Sequence, residues 1–572
     1  MNRRLITSLL CVSAVGAPLL KAQAPNAATT STENSGAQAP AANATALEQL
    51  RARIAEQQEQ IKKLQQAMEA QQKMLEQSIK EQSAKAAAAP ATTSDGTQVV
   101  ATSTSTAPVA LVPAVNRLKA DIVNTPRYMQ HEEVKPSPLS ITIGNSTFTP
   151  LGFVDATFFS RSTNVGSGIG TNFGGIPFNT SASDHLSETN FSAQNSRVGF
   201  RVDSNFMGAK VLGYLEADFL FNNNAASYQI TSNSAGFRLR NYFVDVQKGK
   251  FEVLGGQDWS MLTPNRKGIS PIPGDIFYTQ NEDTNYQVGV IWSRQPQFRF
   301  LYHPNDDFTI GVSAENAQQY VGGGSGASTV VFPTTIGTAL GTQFDNGSTN
   351  SSTNVPNWFP DVVVKAAYDG HVGKKLMHVE AAGLIRGFKD YITLTTLPAI
   401  HGAHTAVGAG GSLNANLEIV KNVRLIANTF FSDGGGRYIF GLAPDTIVRT
   451  DGSLSLLHSY STVDGIEAQV SKNTLFAMYY GGAYIGRNTT IDTTAAKPVL
   501  VGYGEPGASQ NRSVQEITFD WVQTLWKNPN YGGLSLINQY SYILRDPWYV
   551  APGAPKSAHT NMVYISLRYT LP

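Results

Sequence analysis

From about residue 140 to the C-terminus, apolar and polar side chains alternate with a period of two, the signature of strands with one greasy and one wet face. The repeating unit is clearest between Asn195 and Phe221. In its first arm Val198, Phe200 and Val202 share one face, opposite Arg197, Arg201 and Asp203. In its second arm Val211, Leu215, Ala217, Phe219 and Phe221 lie together, opposite Lys210, Tyr214, Glu216 and Asp218. A short turn containing Asn205 and Gly208 joins the arms, so the unit reads as a hairpin.

Sixteen such segments follow one another, starting near residues 150, 195, 209, 236, 250, 287, 308, 360, 376, 405, 422, 462, 474, 512, 533 and 559. Most reach the ~9–11 residues a tilted strand needs to cross a bilayer. Short turns (247–250, 304–307, 369–375, 418–421, 527–532) alternate with long connections rich in Gly, Ser, Thr and Asn (161–194, 317–359, 433–461, 486–511). Short turns on one rim and long loops on the other predict a transmembrane barrel with periplasmic turns. Its closure leaves no unpaired edge in lipid. The last segment fits: Val563, Ile565, Leu567, Tyr569 and Leu571 alternate with Tyr564, Ser566, Arg568 and Thr570, although the chain ends in Leu-Pro instead of an aromatic residue. Phe158/Phe159, Tyr242/Phe243, Tyr479/Tyr480 and Trp521/Trp526 are expected in interfacial aromatic girdles. Alternation slips near Asn241 and Gln257, where a bulge is expected.

The pattern changes in residues 46–82. Leu47, Ile54, Ile61, Met68 and Leu75 recur every seventh position, as do Leu50, Gln57, Leu64, Gln71 and Ser78. Offsets of three and four between the series define the a and d seam of an α-helical coiled coil, so this stretch predicts self-association. Residues 25–45 and 83–139 are low-complexity Ala, Thr, Ser and Pro-rich spacers. Residues 1–24 combine Arg3 and Arg4, an apolar run to Leu20 and Ala-Gln-Ala at 22–24, a secretory signal with cleavage after Ala24. The expected fold class is therefore all-β: a sixteen-stranded antiparallel transmembrane β-barrel over residues 140–572, preceded by a periplasmic coiled coil.

Composition narrows the function. Only 15% of the 572 residues are charged and 51 are Gly. Removing the signal lowers the basic count from 43 to 40 against 42 acids, a net charge near −2 that gives no hint of nucleic-acid binding. The single Cys, Cys11, lies in the signal, so disulfides play no part.

A signal peptide, a coiled coil and a sixteen-stranded barrel, with Asn195-Ser-Arg-Val-Gly-Phe200, Phe237-Arg-Leu-Arg240, Gly256-Gln-Asp-Trp-Ser260 and Arg294-Gln-Pro-Gln-Phe-Arg299 in that order, resemble the DcaP-like trimeric porins of bacterial outer membranes. The resemblance implies a homotrimer among outer-membrane lipids, with uptake of small organic acids.

In porins the third long loop often folds into the lumen; here it is expected at about residues 260–285, carrying Asn265, Arg266, Lys267 and Asp275 among Pro264, Pro271 and Pro273. On the inward faces Arg197, Arg201, Arg238, Arg240, Arg294 and Arg299 come from strands two, four and six. Together with Arg266 and Lys267 they are the candidate pore-lining, substrate-contacting residues. Clustered guanidinium groups lower the barrier to anions and grip carboxylates bidentately. The competing expectation is that they pair with Glu216, Asp218 and Glu315 and merely satisfy a polar wall. No catalytic, cofactor or metal motif occurs among the nine His or elsewhere, and His378 reads as a pore-wall residue. The expected function is a water-filled channel for small hydrophilic solutes, favouring anions such as dicarboxylates. A structural tether or barrel-anchored adhesin is the alternative; sixteen strands argue against it, because that circumference encloses an aqueous lumen.

Overall fold

The structure, a computed structural model, describes residues 137–221, 235–271, 277–279, 286–324, 326–347, 355–394, 400–493 and 495–572, with 59 and 62. The chain divides into two units, Met1–Thr106 and Ala107–Pro572. In the first, Glu59 and Lys62 are helical; the signal peptide, the spacers up to residue 136 and the rest of the expected coiled coil lie outside the described residues.

Alternating β-branched and aromatic residues make sixteen barrel strands in the second unit. In chain order they are β1 (Ser146–Arg161), β2 (Arg197–Phe206), β3 (Ala209–Phe221), β4 (Gly236–Lys248), β5 (Phe251–Trp259), β6 (Arg294–Tyr302), β7 (Phe308–Glu315) and β8 (Asp361–Val372). The second half comprises β9 (Lys375–Leu394), β10 (Ile400–Val420), β11 (Val423–Asp433), β12 (His458–Gln469), β13 (Thr474–Ile485), β14 (Asn511–Asn528), β15 (Gly532–Pro547) and β16 (Ala558–Thr570). Each pairs antiparallel with its neighbours in sequence. Phe153↔Thr570 through Arg161↔Met562 join β1 to β16, which closes the sheet. Two short strands, Ile141–Ile143 and Glu188–Ser192, are appended to β1.

Strand faces follow the alternation. Phe200, Phe519, Ile565 and Leu567 are exposed on the outer surface, while Arg201, Glu216, Asp218 and Thr518 are buried on the inner one. Consecutive aromatics necessarily split between the faces. Phe158, Tyr242 and Tyr480 point outward, but Phe159, Phe243 and Tyr479 are buried inside, so the expected girdles keep one ring of each such pair. The expected bulge lies in β4: Glu216 opposes Asn241 and Ala217 opposes Leu239. Arg240 is the extra residue, and it turns inward beside Asn241.

One strand begins later than its pattern predicts. The sixth starts at Arg294 instead of near 287, because Gln287–Ser293 stays inside the barrel. Val288, Val290, Ile291 and Trp292 have the apolar content of a strand, yet they bury that surface against loops and the inner wall. The same cluster takes in Phe173 and Ile176 from loop 1 (162–196), Phe277 and Tyr286 from loop 3 (260–293), and Tyr438, Phe440 and Leu442 from loop 6 (434–457). Ring centroids lie 5.4 Å apart for Phe173–Phe440, 4.5 Å for Tyr286–Phe440 and 3.8 Å for Trp259–Trp292. Such pairs contribute about 0.5–1.5 kcal/mol each beyond burial. Loop 4 (316–360), loop 6 and loop 7 (486–510) share a second core built on Val321, Ile336, Phe344, Ile447 and Tyr503. The long loops are thus packed structures that narrow one end of the barrel.

Candidate functional site: the lumen and its inturned loops

Loop 3 leaves β5 and is bonded to the wall on the far side of the lumen. Lys365 on β8 donates to the Thr263 carbonyl at 2.8 Å and pairs with Glu380 on β9, also at 2.8 Å. Glu380 in turn accepts from the Asn265 amide (3.1 Å), and Asp369 from the Gly268 amide (2.8 Å). His378 bridges those two carboxylates, at 2.9 Å from Asp369 and 3.3 Å from Glu380. Arg266 reaches Glu467 on β12 (Nη1 to Oε2, 2.8 Å). Further along, Val288 donates to Glu516 on β14 (2.9 Å) and Thr518 donates to Gln287 (3.0 Å). Gly289, at φ 87°, allows the flush approach, since a Cβ there would come within 2.5 Å of the Gly482 and Thr462 carbonyls. Polar wall side chains therefore act chiefly as partners for loop backbone.

Loop 6 enters beside it. Tyr438 donates to Asp361 (2.9 Å) and Glu315 (3.3 Å), and Arg437 contacts Asp361 (2.7 Å). Arg386 bridges Asp361 (3.0 Å) and Asp445 (2.9 Å). Burial pushes the Asp445 carboxyl above its ordinary range, against the pull of Arg386 and Arg437. Glu315, expected to neutralise an inward arginine, instead holds the start of loop 3 through the Met261 amide (2.9 Å).

Of the eight basic candidates, four gather at the loop-side ends of β2, β4 and β6. Arg238 binds Asp218 bidentately (2.9 and 2.7 Å). Arg240, placed by the bulge, bridges Glu216 and Asp218 at 2.7 Å each, and Arg197 stands 3.8 Å from Glu216. Arg294 completes the group with no ion pair among the described residues; its guanidinium lies 4.9 Å from the Trp259 ring centroid, on which Arg240 also sits at 5.6 Å. Arg294 has even parity in β6 where Arg299 has odd, so it does not share the inward face of Arg299; only its place at the strand end brings it to the cluster. The other four lie apart. Arg201 turns to Asp203 (2.7 Å) and Arg299 to Asp258 (3.3 Å), Arg266 is bound to Glu467, and Lys267 is exposed on loop 3. Asp275 and Pro273 lie outside the described residues.

Several lumen residues escaped the sequence reading. Lys365, Glu380, Glu467, Glu516, Asp520 and Arg545 all sit at inward parity on their strands, so the alternation itself would have found them. Asp520 is buried, and among the described residues neither of its carboxylate oxygens is hydrogen-bonded. Glu467, Glu516 and Asp520 lie on the β12–β14 side of the lumen, where Glu467 is paired with Arg266 and Glu516 accepts from the Val288 amide. Among the described residues no group of His, Cys, Asp or Glu is placed to hold a metal ion.

No family model and no curated protein matches the chain. Among solved structures, the outer membrane channel DcaP of Acinetobacter baumannii is similar at 16% identity over 75% of this chain and 98% of that one, with a TM-score of 0.51. An anion-selective porin from Comamonas acidovorans (14% identity, 74% and 99%, TM-score 0.40) and OprB of Pseudomonas putida (10% identity, 74% and 94%, TM-score 0.41) are also similar. The likeness to DcaP shows the fold, that of a bacterial outer-membrane channel barrel.

Proposed function

We propose that the protein is an outer-membrane porin that passes small hydrophilic solutes and favours small organic anions such as dicarboxylates. The observation that carries the anion preference is Arg294, a guanidinium at the loop-side end of β6 with no ion pair among the described residues. It is held on Trp259 next to Arg240, itself within a cluster that includes Arg238. A desolvated cation beside further cations gives a positive potential, and low-dielectric walls focus it. The pairing of Arg197, Arg238 and Arg240 with Glu216 and Asp218 offsets much of that charge, so the reading is of preference and not of cation exclusion.

The same proposal includes a homotrimer in the membrane, with residues 46–82 as a periplasmic coiled coil. Reversal potentials of single channels in a salt gradient test the selectivity. A cation-selective wild type would leave a channel with no anion preference.

A further inference from the structure

Most inward arginines of the wall meet a carboxylate. Arg161 pairs with Glu188 at 2.7 Å, Arg386 with Asp361, and Arg568 with Asp155 at 2.8 Å. Arg545 on β15 meets none among the described residues. Its Nη1 donates to two neutral acceptors, the Gly174 carbonyl (2.5 Å) and Asn511 Oδ1 (3.3 Å). Its guanidinium carbon stacks 4.3 Å from the Phe178 ring centroid, and its Nε is buried without a partner. Neighbouring acids are engaged elsewhere. Asp546 takes Ser513 (3.1 Å) and stands 3.7 Å from Arg512, and Glu505 accepts the Gly507 amide (2.6 Å).

A guanidinium stays charged at any accessible pH, and partial burial without a counter-ion costs free energy. Anchoring the Phe173–Gly175 turn of loop 1 does not require that charge, because the neutral Asn511 side-chain amide already donates to the Gly174 carbonyl at 2.9 Å. The side chain is only partly buried, two residues from the end of β15 and thus at the loop-side rim, where solute has access. Stacking on Phe178 and the two bonds through Nη1 fix the plane of the fork, and Nη2 has no hydrogen bond among the described residues.

We infer that Arg545 is an anion-binding station at the loop-side mouth, where its fixed guanidinium takes the carboxylate of a small organic anion before release into the lumen. This inference rests on the anion preference proposed above and adds the residue that captures the solute. It is separate from the Arg294 cluster, which is carried by other strands.

Single-channel recording with succinate as the probe decides it, in wild type, Arg545→Gln and Arg545→Lys. Arg545→Gln should shorten succinate residence about tenfold, the equivalent of one charge-assisted hydrogen bond. Arg545→Lys, which keeps the charge but not the fork, should recover part of the loss. An anion-selective wild type whose succinate residence is unchanged in Arg545→Gln overturns the station and leaves Arg545 a loop anchor. A cation-selective wild type without succinate block instead sinks the proposed preference itself. If Arg545→Gln does not reach the heat-modifiable folded form, phenylglyoxal labelling of wild type replaces it. Succinate should then slow modification of Arg545, and unprotected labelling counts against the station.

Discussion

Arg266 on loop 3 and Glu467 on β12 form an ion pair, Nη1 to Oε2 2.8 Å, seven strands away from the β5 end where the loop begins. In a sixteen-stranded wall that is nearly the full diameter. Tyr479 also donates to Glu467 (2.8 Å) and accepts from the Tyr278 amide (3.3 Å), so one wall carboxylate organises the far end of the loop.

Glu467→Gln should therefore loosen loop 3. The change leaves Arg266 buried without its counter-ion, a loss of about 3–5 kcal/mol when one partner of a buried pair is removed. The expected result is larger and noisier single-channel conductance. Adding Arg266→Gln should bring part of the quiet state back, because the orphaned charge is gone. Additive effects of the two changes would mean that the pair does not hold the loop.

The outward register gives a second expectation. Phe519 lies at the middle of β14 and is exposed on the outer face. Phe519→Arg should cost roughly 2–4 kcal/mol in a bilayer, while Phe519→Leu should be close to neutral. Thr518 is no tolerant control, contrary to what alternation alone suggests: it is fully buried beneath Gln287 and bonds Ser541 at 2.6 Å. Thr518→Arg should displace loop 3, visible as faster proteolysis of the loop in an otherwise heat-modifiable barrel. Unfolding in lipid vesicles that did not separate Phe519→Arg from Phe519→Leu would contradict the register.

These residues show where reading the sequence works and where it stops. Strand order, turn rim and face are legible because lipid imposes a strict period of two on every strand, as in the Arg197–Asp203 and Val211–Phe221 arms. The period is blind to what covers the inner face. Thr518 and Asp203 look alike in the pattern, yet the first is roofed by loop 3 and the second is half-exposed. Gln287–Trp292 was expected to open a strand because apolar content does not distinguish a surface facing lipid from one packed inside the lumen. Arg437 and Tyr438 carry no periodic signal at all, since their placement comes from tertiary contacts of a long loop with Asp361 and Glu315. The arginine cluster was half legible. Parity finds Arg197 and Arg238, the bulge supplies Arg240, and only the strand end explains Arg294.

Selectivity is best tested at Arg294. Arg238 and Arg240 share the fully buried Asp218, so replacing both by Ser strands a carboxylate and confuses selectivity with folding. Arg294→Gln orphans no acid and gives up a cation–π contact worth about 0.5–2 kcal/mol. The zero-current potential in a salt gradient should move toward cations, with the barrel still heat-modifiable. No movement would assign the lumen potential to other groups.

The N-terminal heptads make the last expectation. Five heptads of the a and d pattern, without Gly or Pro between Ala46 and Glu81, predict a helix whose apolar seam is covered by copies of itself. A peptide of those residues should be helical by circular dichroism and sediment as an oligomer. Gln57 and Gln71 at d positions weaken the seam, so replacing both by Leu should raise its midpoint of thermal unfolding. The barrel closes through β1 and β16, and Ser137 already bonds the Pro572 carbonyl at 2.7 Å, so removing residues 25–136 should leave it folded. A peptide that stays monomeric and unstructured at high concentration would remove the heptads as an assembly element. Trimerisation of the shortened barrel would then show that the wall alone holds the subunits together.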